Sequence, residues 1–282
     1  MNYRHAFHAG NFADVMKHLI LTRIVDYLKR KQAAFRVIDT HAGIGRYDLT
    51  GEEARRSPEW REGIARLLED GLDGAAATLA EPYLAAVRAE NSGGTLAVYP
   101  GSPCIVRRLL RPQDRLTAIE LHPVDAETLR GAFAGDVQVR VIALDGWLAL
   151  GAQVPPKEKR GLVLVDPPFE AAGEFERLVN GLVKAHRRWP GGIYALWYPL
   201  KEPREVAGFV RALTATAIPK MLRAELTIGS PATPPRLHGS GMIVVNPPYV
   251  LAEELGVLLP ALAAGLGGTA GGWSLDWIRG DV

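Results

Sequence analysis

Cysteine is almost absent from this chain: Cys104 stands alone among 282 residues. That excludes a disulfide framework and a cysteine-rich zinc site, and it fits a reducing compartment. Long apolar runs are also missing. None approaches the roughly 18 to 20 residues of a membrane span, and the first eight residues lack the apolar core of a signal peptide. A cytoplasmic protein with no membrane partner is expected. Net charge is small, +2 from 33 Lys and Arg against 31 Asp and Glu, which does not by itself demand a polyanion. The basic residues bunch at 29–31, 107–111, 157–160 and 187–188, and they would form a nucleic-acid footprint only if several converged on one face. No heptad or long apolar stripe demands a second subunit, so a monomer is expected. His5, His8, His18 and His41 do not have the spacing of a ligand set, so no metal is expected.

What is present is ample material for a core, with 48% hydrophobic residues, and an alternation of strands and helices. Val15, Leu19, Ile20, Ile24 and Leu28 recur at helical spacing and predict an amphipathic helix over 11–31. Strand-like segments follow at 36–39, 116–120, 139–142, 162–165, 192–197, 221–228 and 242–245. Helical patterns at 125–133 and 173–187 lie between them. Strands alternating with helices predict βαβ units and a mostly parallel sheet of seven strands. The connection 229–241 has no helical pattern and predicts an antiparallel hairpin at the sheet's edge. Residues 50–97 have helical patterning and glycine breaks. They read as a helical insertion within a single domain of 1–282, with too few apolar residues for a core of their own.

Four strand ends carry polar residues in order. The first runs into Asp39-Thr-His41-Ala-Gly43-Ile-Gly45, where glycines permit a tight turn and close approach to a ligand. This is not the dinucleotide fingerprint Gly-x-Gly-x-x-Gly, which disfavours a nicotinamide. The second ends in Glu120, able to accept both hydroxyls of a ribose. The third is followed by Asp145-Gly146, able to read an adenine edge. The fourth is Asp166-Pro167-Pro168-Phe169. Proline cannot continue a ladder, so this strand stops and its last groups face whatever lies beyond the sheet edge. There the Asp166 carboxylate and the Pro167 carbonyl accept hydrogen bonds and Phe169 offers a ring to stack on. That set suits an exocyclic amine on a flat base. Alone, the four residues are equally a strand-ending turn. In order after a glycine loop and two acids, they match S-adenosylmethionine enzymes that methylate exocyclic amines.

A rival motif, Asn246-Pro-Pro-Tyr249, follows the last expected strand. A doubly wound order puts the fourth strand beside the first and the last one far from the glycine loop. Chemistry is therefore expected at Asp166, and Asn246 is expected to be a structural strand end. Cys104 follows Pro103, as a C5-cytosine nucleophile would, but it precedes the second strand and reads as a small buried hydrophobe.

Several blocks together resemble one family. Tyr3-Arg-His-Ala-Phe-His-Ala-Gly-Asn11, Asp14-Val-Met-Lys-His18, Asp39 to Tyr47, Tyr99-Pro-Gly-Ser-Pro103, Glu120-Leu-His-Pro123, Ala195 to Pro199 and Ser240 to Pro248 are similar to the bacterial 23S ribosomal RNA (adenine-2030-N6) methyltransferase J family. The resemblance spans nearly the whole chain. It implies a Rossmann-like α/β methyltransferase with an inserted helical subdomain that uses S-adenosylmethionine to methylate one adenine of 23S ribosomal RNA. It implies cofactor contacts at His18, His41, Ser102, Glu120, Asp145 and Gly146, a catalytic Asp166, and Tyr3 near the RNA; Gly43 of the glycine loop is expected to join the cofactor contacts. The family pattern usually has tyrosine where this chain has Phe169, so stacking survives and a phenolic hydrogen bond is lost. Taken without the resemblance, His18 and His41 are ordinary histidines, Ser102 shapes a turn, Glu120 and Asp145 are helix caps, and Tyr3 is a terminal residue. Two other classes stay open at this stage. One is an amine methyltransferase acting on a protein or small molecule. The other is a nucleic-acid-binding module on a degenerate fold.

Overall fold

A computed structural model describes residues 4–232 and 234–280; Tyr3 lies outside them. After a short 3-10 turn at His5–Phe7, the chain enters α1 (Phe12–Lys29). Asn11 caps it, its Oδ1 accepting from the backbone N–H groups of Ala13 and Asp14. The expected amphipathic helix is instead buried nearly all round. Asp14, Lys17, His18, Thr22 and Arg23 are as inaccessible as its leucines. The reason is tertiary: α1 packs against the central sheet and is covered by other helices, so its polar side faces partners rather than water.

The chain continues through β1 (Arg36–Asp39), β2 (Arg46–Asp48), α2 (Glu52–Arg56), α3 (Ile64–Asp70), α4 (Gly74–Ala89) and β3 (Val98–Pro100). Next come α5 (Ser102–Leu109), β4 (Arg115–Glu120), α6 (Pro123–Ala132), β5 (Val139–Ala143), α7 (Gly146–Ala152), β6 (Gly161–Val165) and α8 (Glu174–Arg188). The last elements are β7 (Ile193–Leu200), α9 (Pro203–Ala215), β8 (Met221–Thr227), β9 (Gly239–Val245), α10 (Leu251–Gly267) and β10 (Gly272–Arg279).

The main sheet has the order β10-β8-β9-β7-β6-β1-β4-β5. Strands β5, β4, β1, β6 and β7 are parallel neighbours. Strand β9 runs antiparallel to both β7 and β8. The sheet thus has eight strands, where the sequence pattern predicts seven. The eighth is β10, paired antiparallel with β8. Its alternation of Trp273, Leu275 and Trp277 with Ser274 and Asp276 is strand-like, yet at this outer position Leu275 is partly buried against the core while Trp273 and Trp277 stay 46% and 49% exposed. The β8–β9 hairpin is also not at the edge. Strand β9 inserts between β7 and β8, and β10 takes the outer position.

Strand β6 shows why the sheet is covered on both faces. Leu162 and Leu164 point into a core shared with α1, α4, α5 and α10, while Val163 and Val165 point into a second core with α7, α8 and α9. Helices α2 to α4 lie between β2 and β3, which form a separate antiparallel ribbon with Tyr47 opposite Tyr99. Ile64, Leu67, Tyr83, Leu84 and Val87 of these helices join the same core as α1. One stretch does approach membrane-span length: 251–270 is long and apolar enough by composition. Its Leu251, Leu255, Leu258, Leu259, Leu262 and Leu266 are buried in the core, which accounts for the apolar run. Arg23 of α1 ties this helix down by a two-pronged ion pair with Glu254, at 2.8 and 3.0 Å.

Candidate active site

The carboxyl ends of the parallel strands open on a cleft of about 360 Å³, within the usual range for a small-molecule site. All four strand ends singled out in the sequence meet there. His41, Gly43, Glu120, Asp145 and Gly146 line one part of it. Asp166, Pro167 and Phe169 line another, with His18 and Ser102 in the wall between α1 and α5.

The glycine loop is shaped by close approach. Gly43 has φ +62°, and a Cβ there would lie 2.1 Å from the Tyr47 hydroxyl. A Cβ on Gly146 would lie 2.3 Å from the Thr40 carbonyl oxygen. Both positions require glycine, and both lie beneath the space a ligand would fill. Glu120 is fixed by backbone donors: Oε2 accepts from Gly43 N–H at 2.9 Å and Oε1 from His122 N–H at 2.8 Å. Each oxygen retains a lone pair for the cleft. Burial holds the Glu120 carboxyl above its ordinary range despite those donors. Asp145 caps α7, its Oδ1 accepting from Trp147 N–H at 2.7 Å.

The two histidines are neutral acceptors or donors rather than cations. Burial pushes His41 down to about 4 and His18 down to about 3. Thr40 donates its hydroxyl proton to the Leu164 carbonyl at 2.9 Å. His41 Nδ1, 2.9 Å from the Thr40 hydroxyl oxygen, must then be the donor to it, which leaves Nε2 as a bare acceptor. His18 Nδ1 shares a 2.6 Å hydrogen bond with the Tyr99 hydroxyl, which in turn bonds Tyr83 of α4 at 3.0 Å. Ser102 donates to Asp39 Oδ2 at 2.6 Å. Burial pushes the Asp39 carboxyl up to about 7, with the nearby Asp166 charge adding and the Ser102 hydrogen bond opposing. Asp39 thus holds its proton well above the ordinary carboxylate range.

At the fourth strand end a lysine that sequence reasoning overlooked organises the site. Lys17 Nζ lies 2.5 Å from Asp166 Oδ2 and 2.7 Å from Asp14 Oδ1. Its side chain is only 5% exposed. Burial alone would lower its pKa, but the two carboxylates outweigh it and hold the ammonium well above the usual lysine range. Asp14 is itself braced by Gly10 N–H and His5 Nε2, each at 2.9 Å from Oδ2. Burial would raise the Asp14 carboxyl, yet His5 and Lys17 hold it well below the usual range. The available signal was three charged residues, Asp14, Lys17 and Arg23, set among the mostly apolar residues of 12–25. Buried charges are paired, and a pair needs a partner elsewhere.

Asp166 Oδ1 and the Pro167 carbonyl have no hydrogen-bond partner among the described residues. Phe169 holds a left-handed backbone, φ +51°, a conformation that costs a bulky residue on the order of 1–3 kcal/mol. Its ring is held edge-on by Phe175 at 4.9 Å and Trp197 at 5.6 Å. Trp197 also lies under the Lys17 ammonium, 5.8 Å from the ring centre.

The rival motif sits at the other end of the sheet. Val245 pairs with Tyr194 near the start of β7, so Asn246 emerges at the edge opposite Asp166. Its Nδ2 donates to the carbonyls of Pro190 and Gly192, both at 2.8 Å. Cys104 is buried, and burial pushes its thiol up to about 11, so it is no nucleophile.

Comparison with known proteins agrees with this geometry. The family model described as "Ribosomal RNA large subunit methyltransferase D, RlmJ" matches residues 32–279. The ribosomal RNA large subunit methyltransferase J of Escherichia coli is 43% identical over 280 residues, 99% of each chain. That of Haemophilus influenzae is 39% identical over 284 residues, again 99% of each. The crystal structure of protein LPL1258 from Legionella pneumophila superposes with a TM-score of 0.88 at 32% identity, covering 95% of this chain and 98% of that one. The chain belongs to the ribosomal RNA large subunit methyltransferase J family.

Proposed function

We propose that the protein transfers a methyl group from S-adenosylmethionine to the N6 amine of an adenine in 23S ribosomal RNA, the adenine-2030 position that its family resemblance implies. The observation that carries this reading is the Asp166 carboxylate, pinned through one oxygen by Lys17, with its other oxygen and the Pro167 carbonyl free in the cleft. S-adenosylmethionine supplies an activated methyl on a sulfonium whose departure as a neutral thioether calls for no metal.

The acceptor set fits that cofactor. Glu120 takes the ribose hydroxyls, Asp145 and Gly146 meet the adenine, and Gly43 leaves room for the chain to pass close. His18, His41 and Ser102 complete the wall. The target adenine must leave its stack, at a cost of a few kcal/mol. Phe169 offsets part of this by stacking, worth roughly 1–3 kcal/mol per base. Asp166 Oδ1 and the Pro167 carbonyl accept the two N6 hydrogens and aim the nitrogen lone pair at the methyl group. The gain is mainly positional. As the new bond forms the N6 proton becomes acidic, and Asp166 receives it directly or through water. Lys17 keeps Asp166 oriented throughout. Tyr3 is assigned to the RNA side by resemblance.

We read the enzyme as a cytoplasmic monomer without metal or membrane partner, one methyltransferase domain with residues 50–97 as its helical insertion. The sharing of one core between that insertion and α1 supports the single-domain reading. The test is transfer of labelled methyl to 23S RNA from a strain lacking the modification, with product identified as N6-methyladenine. Label appearing on protein instead, or failure of the wild-type protein to bind S-adenosylmethionine, would overturn the reading.

A further inference from the structure

One acceptor in the cleft has no role in the reading above. Glu174 opens α8, directly after Gly173, whose left-handed backbone, φ +84°, turns the chain into the helix. Its side chain is 6% exposed and lines the cleft. Oε1 accepts from Arg177 at 3.2 Å. Oε2 is buried and has no partner among the described residues. Folded proteins rarely leave a buried carboxylate oxygen undonated, and such atoms mark either strain or a ligand contact. Burial, augmented by the Asp145 charge, holds the Glu174 carboxyl above its usual range. The same turn of α8 lays Arg177 over the Trp147 ring at 5.9 Å, and Trp147 is the residue whose N–H is capped by Asp145. Glu174 therefore belongs to the Asp145 end of the cleft. None of its polar partners belongs to the Lys17–Asp166 end.

Two carboxylates at one end of a cleft call for a group with two N–H donors and no acceptor between them. The exocyclic amine of an adenine ring is such a group; the carbonyl of a hypoxanthine ring in its place would meet repulsion from both acids. We infer that Glu174 and Asp145 together hold the exocyclic amine of the cofactor's adenine, one N–H each, which makes Glu174 a specificity-determining residue for an adenosine-containing cofactor. This rests on the reading of the cleft as the S-adenosylmethionine site.

The test is calorimetric binding of S-adenosylhomocysteine and of its analogue lacking the 6-amino group, to the wild type, E174A and E174Q. Wild type prefers the amine-bearing ligand by roughly tenfold or more, the value of a hydrogen bond to a charged group. E174A loses about that factor on S-adenosylhomocysteine and little on the deaminated analogue, so the preference shrinks. E174Q retains an acceptor oxygen, loses less, and melts close to wild type without ligand, because the buried charge it removes is paired only through Oε1 with the half-exposed Arg177. An equal loss on both ligands, with a lowered melting temperature, would make Glu174 merely structural and overturn the inference. Unchanged S-adenosylhomocysteine affinity with a raised KM for RNA would assign Glu174 to the target base instead, and also overturn it. Absence of S-adenosylhomocysteine binding to the wild type would overturn the cofactor reading itself, and this inference with it.

Discussion

Two similar tetrapeptides, sharing a Pro-Pro core, follow two buried strands of one sheet, and only one of them faces the cleft. Asp166-Pro-Pro-Phe follows β6, which runs with the parallel strands; Asn246-Pro-Pro-Tyr follows β9, which runs against them. Strand direction alone sends them to opposite edges. The surroundings then diverge. Asp166 meets a buried ammonium and leaves an oxygen for a ligand, whereas Asn246 uses both amide hydrogens on backbone carbonyls. Phe169 is braced by two aromatic rings, while Tyr249 is 80% exposed with an edge contact to Tyr27 at 5.7 Å. Even the strained residue differs: the left-handed position is Phe169 in one and Asn246 in the other. Such a motif carries chemistry only where the topology delivers it to the ligand edge.

The largest difference between the two should appear in activity. Asp166→Ala is expected to lower methyl transfer by about 10²–10⁴-fold, the range for a positioned proton acceptor, while cofactor affinity measured by calorimetry stays near wild type. Next is the buried ion triad, which the Asn246 motif lacks altogether. Lys17→Met leaves Asp14 and Asp166 buried without their cation and should cost about 3–5 kcal/mol in urea unfolding. Adding Asp14→Asn should recover part of that loss. Full stability in the Lys17 variant would show that the triad is not what holds Asp166.

The aromatic positions give a smaller contrast. Phe169→Ala should weaken transition-state binding by roughly 1–3 kcal/mol, read from kcat/KM for RNA. Phe169→Tyr should retain activity, since stacking is preserved. Tyr249→Ala should stay within about 0.5 kcal/mol in stability and leave kcat/KM unchanged.

A pH measurement isolates Asp39, behind the active strand end. Its carboxyl titrates near 7 when folded and near 3.8 when unfolded. Between those values the native state binds the extra proton, so this group's stabilisation is full below about 3.8 and is lost as pH rises through about 7. Depressed His18 and His41 act in the opposite sense, losing stability as pH falls below 6.5 toward 4 and 3. Asp39→Asn should therefore remove a fall in stability between pH 4 and 7, measured against wild type by urea midpoints across that range. An unchanged difference across the range would contradict a raised Asp39.

The strand ends were legible in the sequence because a doubly wound order follows from strands alternating with helices, and His41, Glu120, Asp145 and Asp166 each sit within two residues of a strand. The demotion of Asn246 was also legible, although for an incomplete reason: distance along the sheet mattered less than the reversal of β9. Lys17 and Glu174 were not legible in role. Both sit on helices, and which helical residue meets which strand end is set by packing between segments about 150 residues apart for Lys17 and Asp166. The helix expected to be amphipathic hid its charged residues for the same reason. Strand β10 escaped notice although its alternation is present in the sequence, and with it the true edge of the sheet.

The most direct measurement compares D166A and N246A with the wild type in labelled methyl transfer to unmodified 23S RNA, each protein first shown to be folded by thermal melting. Chemistry at Asp166 predicts N6-methyladenine from wild type and N246A and none above background from D166A. Near-normal product from D166A, with its loss in a folded N246A, would contradict it.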